Sequence, residues 1–136
     1  MKHLITSYLL ASVIFLIIDV IWLSITVKIF YKPQIGQLLN DKPIIWAAVL
    51  FYLIYTVGLT LIIIKPAISN YDFFQAFWTG ILFGIVAYGT YNLTNMSTIK
   101  NWSATVVFVD MIWGGLLSGI TASSSLYFTR YITKLF

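Results

Sequence analysis

Residues 4–27 read LITSYLLASVIFLIIDVIWLSITV, an apolar stretch whose only charged side chain is Asp19. A helix needs about 20 apolar residues to cross a bilayer, so this stretch is long enough to span one. A carboxyl group inside a membrane helix is costly, and residues of this kind usually belong to functional sites. The stretch therefore predicts a membrane helix that carries a candidate functional residue.

The composition of the whole chain agrees with a membrane protein. Of its 136 residues, 60% are hydrophobic and 9% are charged, and the mean hydropathy is +0.94. This is too little polar surface for a water-soluble globule. We predict an all-α fold, an integral membrane four-helix antiparallel bundle, in one transmembrane domain (1–136). Its spans are expected at roughly 4–27, 44–64, 73–94 and 104–128.

Turn-forming residues mark three short connections between the spans. Lys-Pro pairs at 32–33 and 42–43 are expected to bracket the first loop, the pair at 65–66 to start the second, and residues 95–101 to form the third. Loops this short favour antiparallel neighbours, with both termini on one side. Four basic residues fall on each side, so the positive-inside rule gives no orientation. The free amino terminus favours cytoplasmic termini.

A second acid repeats the pattern of the first. Asp19 opens the phrase DVIW and Asp110 opens the phrase DMIW, which places Trp22 and Trp113 one turn further along. Counted at about 1.5 Å per residue from the nearest lysine, both acids lie about 14 to 15 Å below the same membrane surface. They are therefore expected to share one level near the midplane of the bilayer.

Further polar side chains are expected in the same half of the bundle. Small residues at four-residue intervals, such as Gly80 and Gly84 in the third span, allow close helix approach. Facing these stripes inward directs both acids and several tyrosines towards a common interior. The candidate binding residues are Asp19, Asp110, Tyr52, Tyr88, Tyr91, Asn92, Asn95, Trp22 and Trp113.

The acids allow two interpretations. They are either interhelical hydrogen-bonding groups without chemistry, or a site that holds a proton or accepts a cation, since no Lys or Arg lies at their depth. Trp22 and Trp113 lie too deep for the interfacial belt of aromatic residues. They are either core packing or the walls of an aromatic cage.

Several chemistries lack their residues. The chain has no cysteine and one histidine, His3, so no metal site and no cofactor is predicted, and a Ser-His-Asp set is excluded. No phosphate-binding glycine loop is present. The net charge of +4 is dispersed over loops and ends, which argues against nucleic-acid binding. No catalytic residue is assigned.

The chain resembles a bacterial family of predicted membrane proteins, domain of unknown function 2177. The phrases that carry the likeness are YGTYNLTN (88–95), KNWS (100–103), DMIWG (110–114), DVIW (19–22) and FYLIY (51–55). The resemblance implies a multi-pass protein of the bacterial inner membrane without an assigned activity. Members usually carry Asp where this chain has Asn92, so a site with two acids is expected here rather than three.

Three function classes remain open. The first is proton- or cation-coupled transport or small-ligand binding at Asp19 and Asp110, with a homo-oligomer expected because four spans are few for a pathway. The second is an intramembrane enzyme or accessory protein acting on membrane lipids, which predicts an opening towards lipid between the first and fourth helices. The third is a structural subunit of a membrane complex.

Overall fold

The computed structural model describes residues 1–135 and contains four long helices. They are α1 (Lys2–Leu38), α2 (Ile45–Ile68), α3 (Phe73–Thr98) and α4 (Ala104–Leu135), each long and apolar enough to cross a membrane. No strand occurs within residues 1–135. The predicted all-α, four-helix membrane fold is confirmed, whereas the bilayer boundaries of the four spans stay a prediction.

Two of the predicted loop positions are wrong, because α1 and α2 continue through their Lys-Pro pairs. A π-helical segment directly precedes each pair, Val27–Tyr31 in α1 and Leu59–Ile64 in α2. A proline lacks an N–H and crowds the carbonyl four residues earlier, which normally ends or kinks a helix. The wider π turn, with hydrogen bonds that reach back five residues, accommodates the proline without a break. The loops are correspondingly short, at 39–44, 69–72 and 99–103, and the third begins four residues later than predicted because α3 continues to Thr98.

The closest helix pair is α3 and α4, which meet through small residues. A Cβ atom on Gly84 would lie 2.0 Å from the Gly114 carbonyl oxygen, and one on Gly80 would lie 2.9 Å from the Gly119 Cα. Only glycine permits backbones to approach this closely. The predicted inward stripe of Gly80 and Gly84 therefore packs as expected, and it fixes α3 against α4 along most of their length.

The half of the bundle near the termini is packed solidly with apolar side chains. Leu59, Ile64 and Leu126 are fully buried there, together with small residues such as Ala76 and Ala122. Neutral hydrogen bonds add to this packing, for example between the hydroxyl groups of Ser7 and Thr129 at 2.9 Å. This tightly packed half holds the four helices together.

The opposite half is more open because the first part of α2 leans away from α3. Residues 45–58 pack mainly against α1, whereas the π segment Leu59–Ile64 packs against α1, α3 and α4. From the leaning part, Tyr55 reaches across to α4 and its hydroxyl lies 2.7 Å from the Ser118 hydroxyl. The gap between this part of α2 and α3 forms a cavity.

Candidate functional site

The two acids face one cavity, which we name the acid cavity. It has a volume of about 230 Å³, and both Asp19 of α1 and Asp110 of α4 line it. The carboxyl groups are nearly inaccessible, since the two residues are 6% and 8% exposed. Antiparallel packing of α1 on α4 brings the two phrases to one level, as the helical rise predicts.

Asp19 accepts hydrogen bonds from two other helices. The Tyr52 hydroxyl of α2 donates to one carboxylate oxygen at 2.7 Å. The Trp113 indole N–H of α4 donates to the other at 3.1 Å. The carboxyl group of Asp19 thus joins α1 to both α2 and α4.

Asp110 is bound in the same manner by different groups. The Tyr31 hydroxyl, from the π segment of α1, donates to one oxygen. The Asn92 amide of α3 donates to the other at 3.1 Å. Asn92 is fully buried, and the same amide also bonds to the Tyr88 carbonyl at 3.1 Å. The acids are therefore held by four neutral donors, two each.

The two tryptophans connect the acids crosswise. Trp22 and Trp113 stack with ring centroids 4.2 Å apart and planes 10° from parallel. The Trp113 indole donates to the acid of the opposite phrase, Asp19. The Trp22 indole donates at 3.3 Å to the Tyr31 hydroxyl, which in turn donates to Asp110. Each tryptophan thus hydrogen-bonds towards the acid of the other phrase. Trp113 does so directly, whereas Trp22 does so through the Tyr31 hydroxyl.

The acid cavity is lined by acidic and aromatic side chains. Its walls are Asp19, Trp22, Leu23, Val27, Tyr31, Ile35, Leu39, Tyr88, Tyr91, Trp102, Asp110 and Trp113, so no Lys, Arg or His is among them. Within residues 1–135, no group of three or more His, Asp or Glu side chains is placed to hold a metal ion. A ligand in the cavity would meet two carboxyl groups and several aromatic rings. These groups are suited to bind a proton or a cation.

A second, larger cavity adjoins it, which we name the lateral cavity. It has a volume of about 420 Å³ and lies in the gap between α2 and α3. Phe51, Tyr55 and Ala87 form its apolar part, and it shares Tyr88, Tyr91 and Asp110 with the acid cavity. The acid cavity lies between α1, α3 and α4, whereas the lateral cavity lies between α2 and α3. The opening towards lipid expected between the first and fourth helices stays a prediction.

The candidate residues derived from sequence are mostly assembled at these cavities. Tyr52 and Asn92 bind the acids directly, and Tyr88 and Tyr91 line both cavities. Asn95 is half-buried one turn beyond Asn92 and lines neither cavity. The Asn95 side chain contacts that of Tyr91, so Asn95 adjoins the cavities only through Tyr91.

Two residues of the site were missed at the sequence level, Tyr31 and Trp102. Tyr31 lies four residues beyond the predicted end of the first span at residue 27. Residues four apart on an α-helix drift by about 40° per step. The wider π turn offsets this drift, and Tyr31 lines the acid cavity together with Asp19 and Val27. The Lys-Pro pair just after Tyr31 is the signal that could have indicated such a turn.

We expect Tyr31→Phe to lower the free energy of unfolding by about 1–3 kcal/mol, because Asp110 loses a donor in a buried site. Unfolding by sodium dodecyl sulfate in mixed micelles measures this change. Tyr127→Phe is the control, since Tyr127 is 56% exposed and should change stability by less than about 0.5 kcal/mol. Equal stability of the two variants would show that the hydroxyl of Tyr31 does not hold Asp110.

The fold and site together define an all-α membrane protein with two buried carboxyl groups that face one cavity. The chain belongs to the family described as "Predicted membrane protein (DUF2177)", which it matches over residues 4–127. The resemblance drawn from its sequence phrases is thereby confirmed. No curated protein and no solved structure matches the chain.

Proposed function

We propose that this protein binds a proton or a small cation between Asp19 and Asp110, as the binding step of proton- or cation-coupled transport. The observation that carries the proposal is that both carboxyl groups line one cavity while every hydrogen bond to them comes from a neutral donor. A charged carboxylate in low dielectric needs a nearby positive charge. A bound cation or proton supplies it.

The aromatic walls support a cationic ligand in particular. The faces of tryptophan and tyrosine rings attract cations, and this attraction is strongest where water is excluded. Trp22, Trp113 and Tyr88 line the acid cavity together with the two carboxyl groups. An organic ammonium ion would meet both the charge and the ring faces.

A second candidate function is action on a membrane lipid, by an enzyme or an accessory protein. The observation that favours it is the lateral cavity, which is partly open and has Asp110 in its wall. One carboxyl group could then act as a general acid or base on a bound lipid. We rank it second because it gives no role to Asp19, which does not line the lateral cavity.

Location and assembly complete the proposal. We infer residence in the bacterial inner membrane, with both termini on the cytoplasmic side. Four helices enclose little space, so a transport pathway would be shared between two or more copies of this chain. Both points are open to direct test by cysteine labelling of the termini and by the mass of the purified protein in nanodiscs.

The experiment that tests the binding proposal is a fluorescence titration of the protein in nanodiscs, with acid and with tetramethylammonium chloride. Trp22, Trp102 and Trp113 line the acid cavity, so their emission should report occupancy. We expect a saturable change in the wild type that is weakened at least tenfold in Asp19→Asn and in Asp110→Asn, a difference of about 1.4 kcal/mol or more.

The matched control is Asp41→Asn, which makes the same change of charge at an exposed loop residue on the same side of the bundle. It should bind within about twofold of the wild type. If the Asp19 and Asp110 variants also respond to both ligands as the wild type does, the acids are interhelical hydrogen-bonding groups and the structural-subunit role takes precedence.

A further inference from the structure

The two cavities share one wall, and that wall contains a charge. Tyr88, Tyr91 and Asp110 line both the acid cavity and the lateral cavity. A ligand with its polar end at Asp110 can therefore extend into either space. The acid cavity holds the second carboxyl group, whereas the lateral cavity offers the larger volume.

The lateral cavity is suited to a hydrocarbon chain or an aromatic group. Apart from Asp110, its lining consists of aromatic rings and Ala87, and its volume of about 420 Å³ is in the range of sites for drug-sized ligands. Its rim faces outward, since Phe51 is 42% and Tyr91 is 56% exposed. Entry from the hydrocarbon region of the bilayer is therefore open.

The shape of α2 keeps this space available. Residues 45–58 of α2 lean on α1, and the ring of Tyr55 bridges to Phe83 and Tyr88, with centroids 5.4 and 6.1 Å away. Tyr55 is tied to Ser118 by its hydroxyl. The rings form the floor of the cavity and do not fill it.

We infer that the ligand is a cationic amphiphile, with an ammonium head at Asp110 and a hydrocarbon tail in the lateral cavity. The inference rests on the proposed function and names the class of its ligand. The ammonium group lies against the carboxylate and the ring of Tyr88, where charge attraction and cation–π attraction act together. The tail extends between α2 and α3 towards the lipid.

Charge complementarity selects this ligand over the ordinary lipids. A phosphate or carboxylate head would meet Asp110 without any basic residue among the lining residues of either cavity. Like charges at close range in low dielectric repel strongly. A neutral tail alone would fill the lateral cavity and leave the carboxylate without a partner.

The test compares two cations of equal head and different tail, tetramethylammonium and octyltrimethylammonium, by tryptophan fluorescence in nanodiscs. The key variant is Ala87→Trp, because Ala87 lines the lateral cavity alone and a large ring there fills it. The matched control is Ala47→Trp, which places the same ring on the exposed face of α2. Octyl sulfate, the anionic analogue, should give no saturable change.

We expect Ala87→Trp to weaken octyltrimethylammonium binding at least tenfold and to leave tetramethylammonium binding within about twofold. Ala47→Trp should bind both as the wild type does. The octyl compound partitions into the lipid to the same extent for every variant. The ratio of dissociation constants between two variants therefore does not depend on this partition. Asp110→Asn should lose both cations.

Unchanged octyltrimethylammonium binding in Ala87→Trp overturns the inference, and it leaves the proposed function standing if Asp110→Asn still loses tetramethylammonium. If Ala87→Trp loses binding of both cations, the substitution has disturbed the wall that the two cavities share. In that case Phe51→Ala tests whether the tail lies in the lateral cavity. This variant enlarges the lateral cavity and should raise the affinity for decyltrimethylammonium relative to that for octyltrimethylammonium. An unshifted preference in Phe51→Ala overturns the inference as well.

Discussion

Gly84→Ala is expected to reduce the free energy of unfolding by about 3 kcal/mol or more, beyond the usual 1–3 kcal/mol for an overpacked site. The added Cβ would lie 2.0 Å from the Gly114 carbonyl oxygen and 2.5 Å from its carbonyl carbon. Both are backbone atoms, so no side-chain rotation can relieve the clash. The helices α3 and α4 must separate, and the measurement is unfolding by sodium dodecyl sulfate in mixed micelles.

Gly58→Ala is the matched control for this prediction. Its Cβ would meet only the Phe83 ring edge at 3.4 Å, an ordinary contact. Alanine also favours a helix by about 1 kcal/mol over glycine, so this variant should be as stable as the wild type or slightly more so. Equal losses in both variants would mean that α3 and α4 are not packed this closely in the membrane.

Sequence patterns were sufficient for the number and type of the helices and for the small face of α3. Composition and length give the four spans, and the four-residue spacing of Gly80 and Gly84 indicates the face that α3 turns inward. Both are local properties of one helix at a time. The shared level of Asp19 and Asp110 likewise follows from counting residues along two helices from one surface.

Sequence patterns did not predict how the helices tilt against one another, nor the π turns that interrupt the regular α-helical period. The rule that proline ends a helix placed Pro33 and Pro66 in loops, yet a π turn before each lets the helix continue. That turn brings Tyr31 to Asp110. The gap between α2 and α3 follows from the tilt of residues 45–58, which no spacing within α2 encodes.

The site and the helix packing meet at Gly114, where Gly114→Ala is expected to weaken cation binding at least tenfold. The added Cβ would lie 2.2 Å from Cγ of Tyr88 and 2.3 Å from its Cδ2. Because Cγ is the root of the ring, rotation of the ring about its own axis does not relieve this clash. The ring must swing away from the wall that the two cavities share.

Gly89→Ala controls for the loss of a glycine near the site. Its Cβ would meet the end of the flexible Met111 side chain at 3.0 Å, which can move aside at little cost. This variant should bind tetramethylammonium within about twofold of the wild type in nanodiscs. Wild-type binding in Gly114→Ala would show that Tyr88 does not form a wall of the cation site.

A double variant separates the effect on stability from the effect on the site. Gly114→Ala alone should cost about 1–3 kcal/mol of unfolding free energy through overpacking. Adding Tyr88→Ala removes the ring that causes the clash, so part of this stability should return, while cation binding should stay low because the ring face is gone. Recovery of both stability and binding would place the cation away from Tyr88. Recovery of stability alone would show that the Tyr88 ring is needed for cation binding. It would also show that a glycine is needed at position 114 to leave space for that ring.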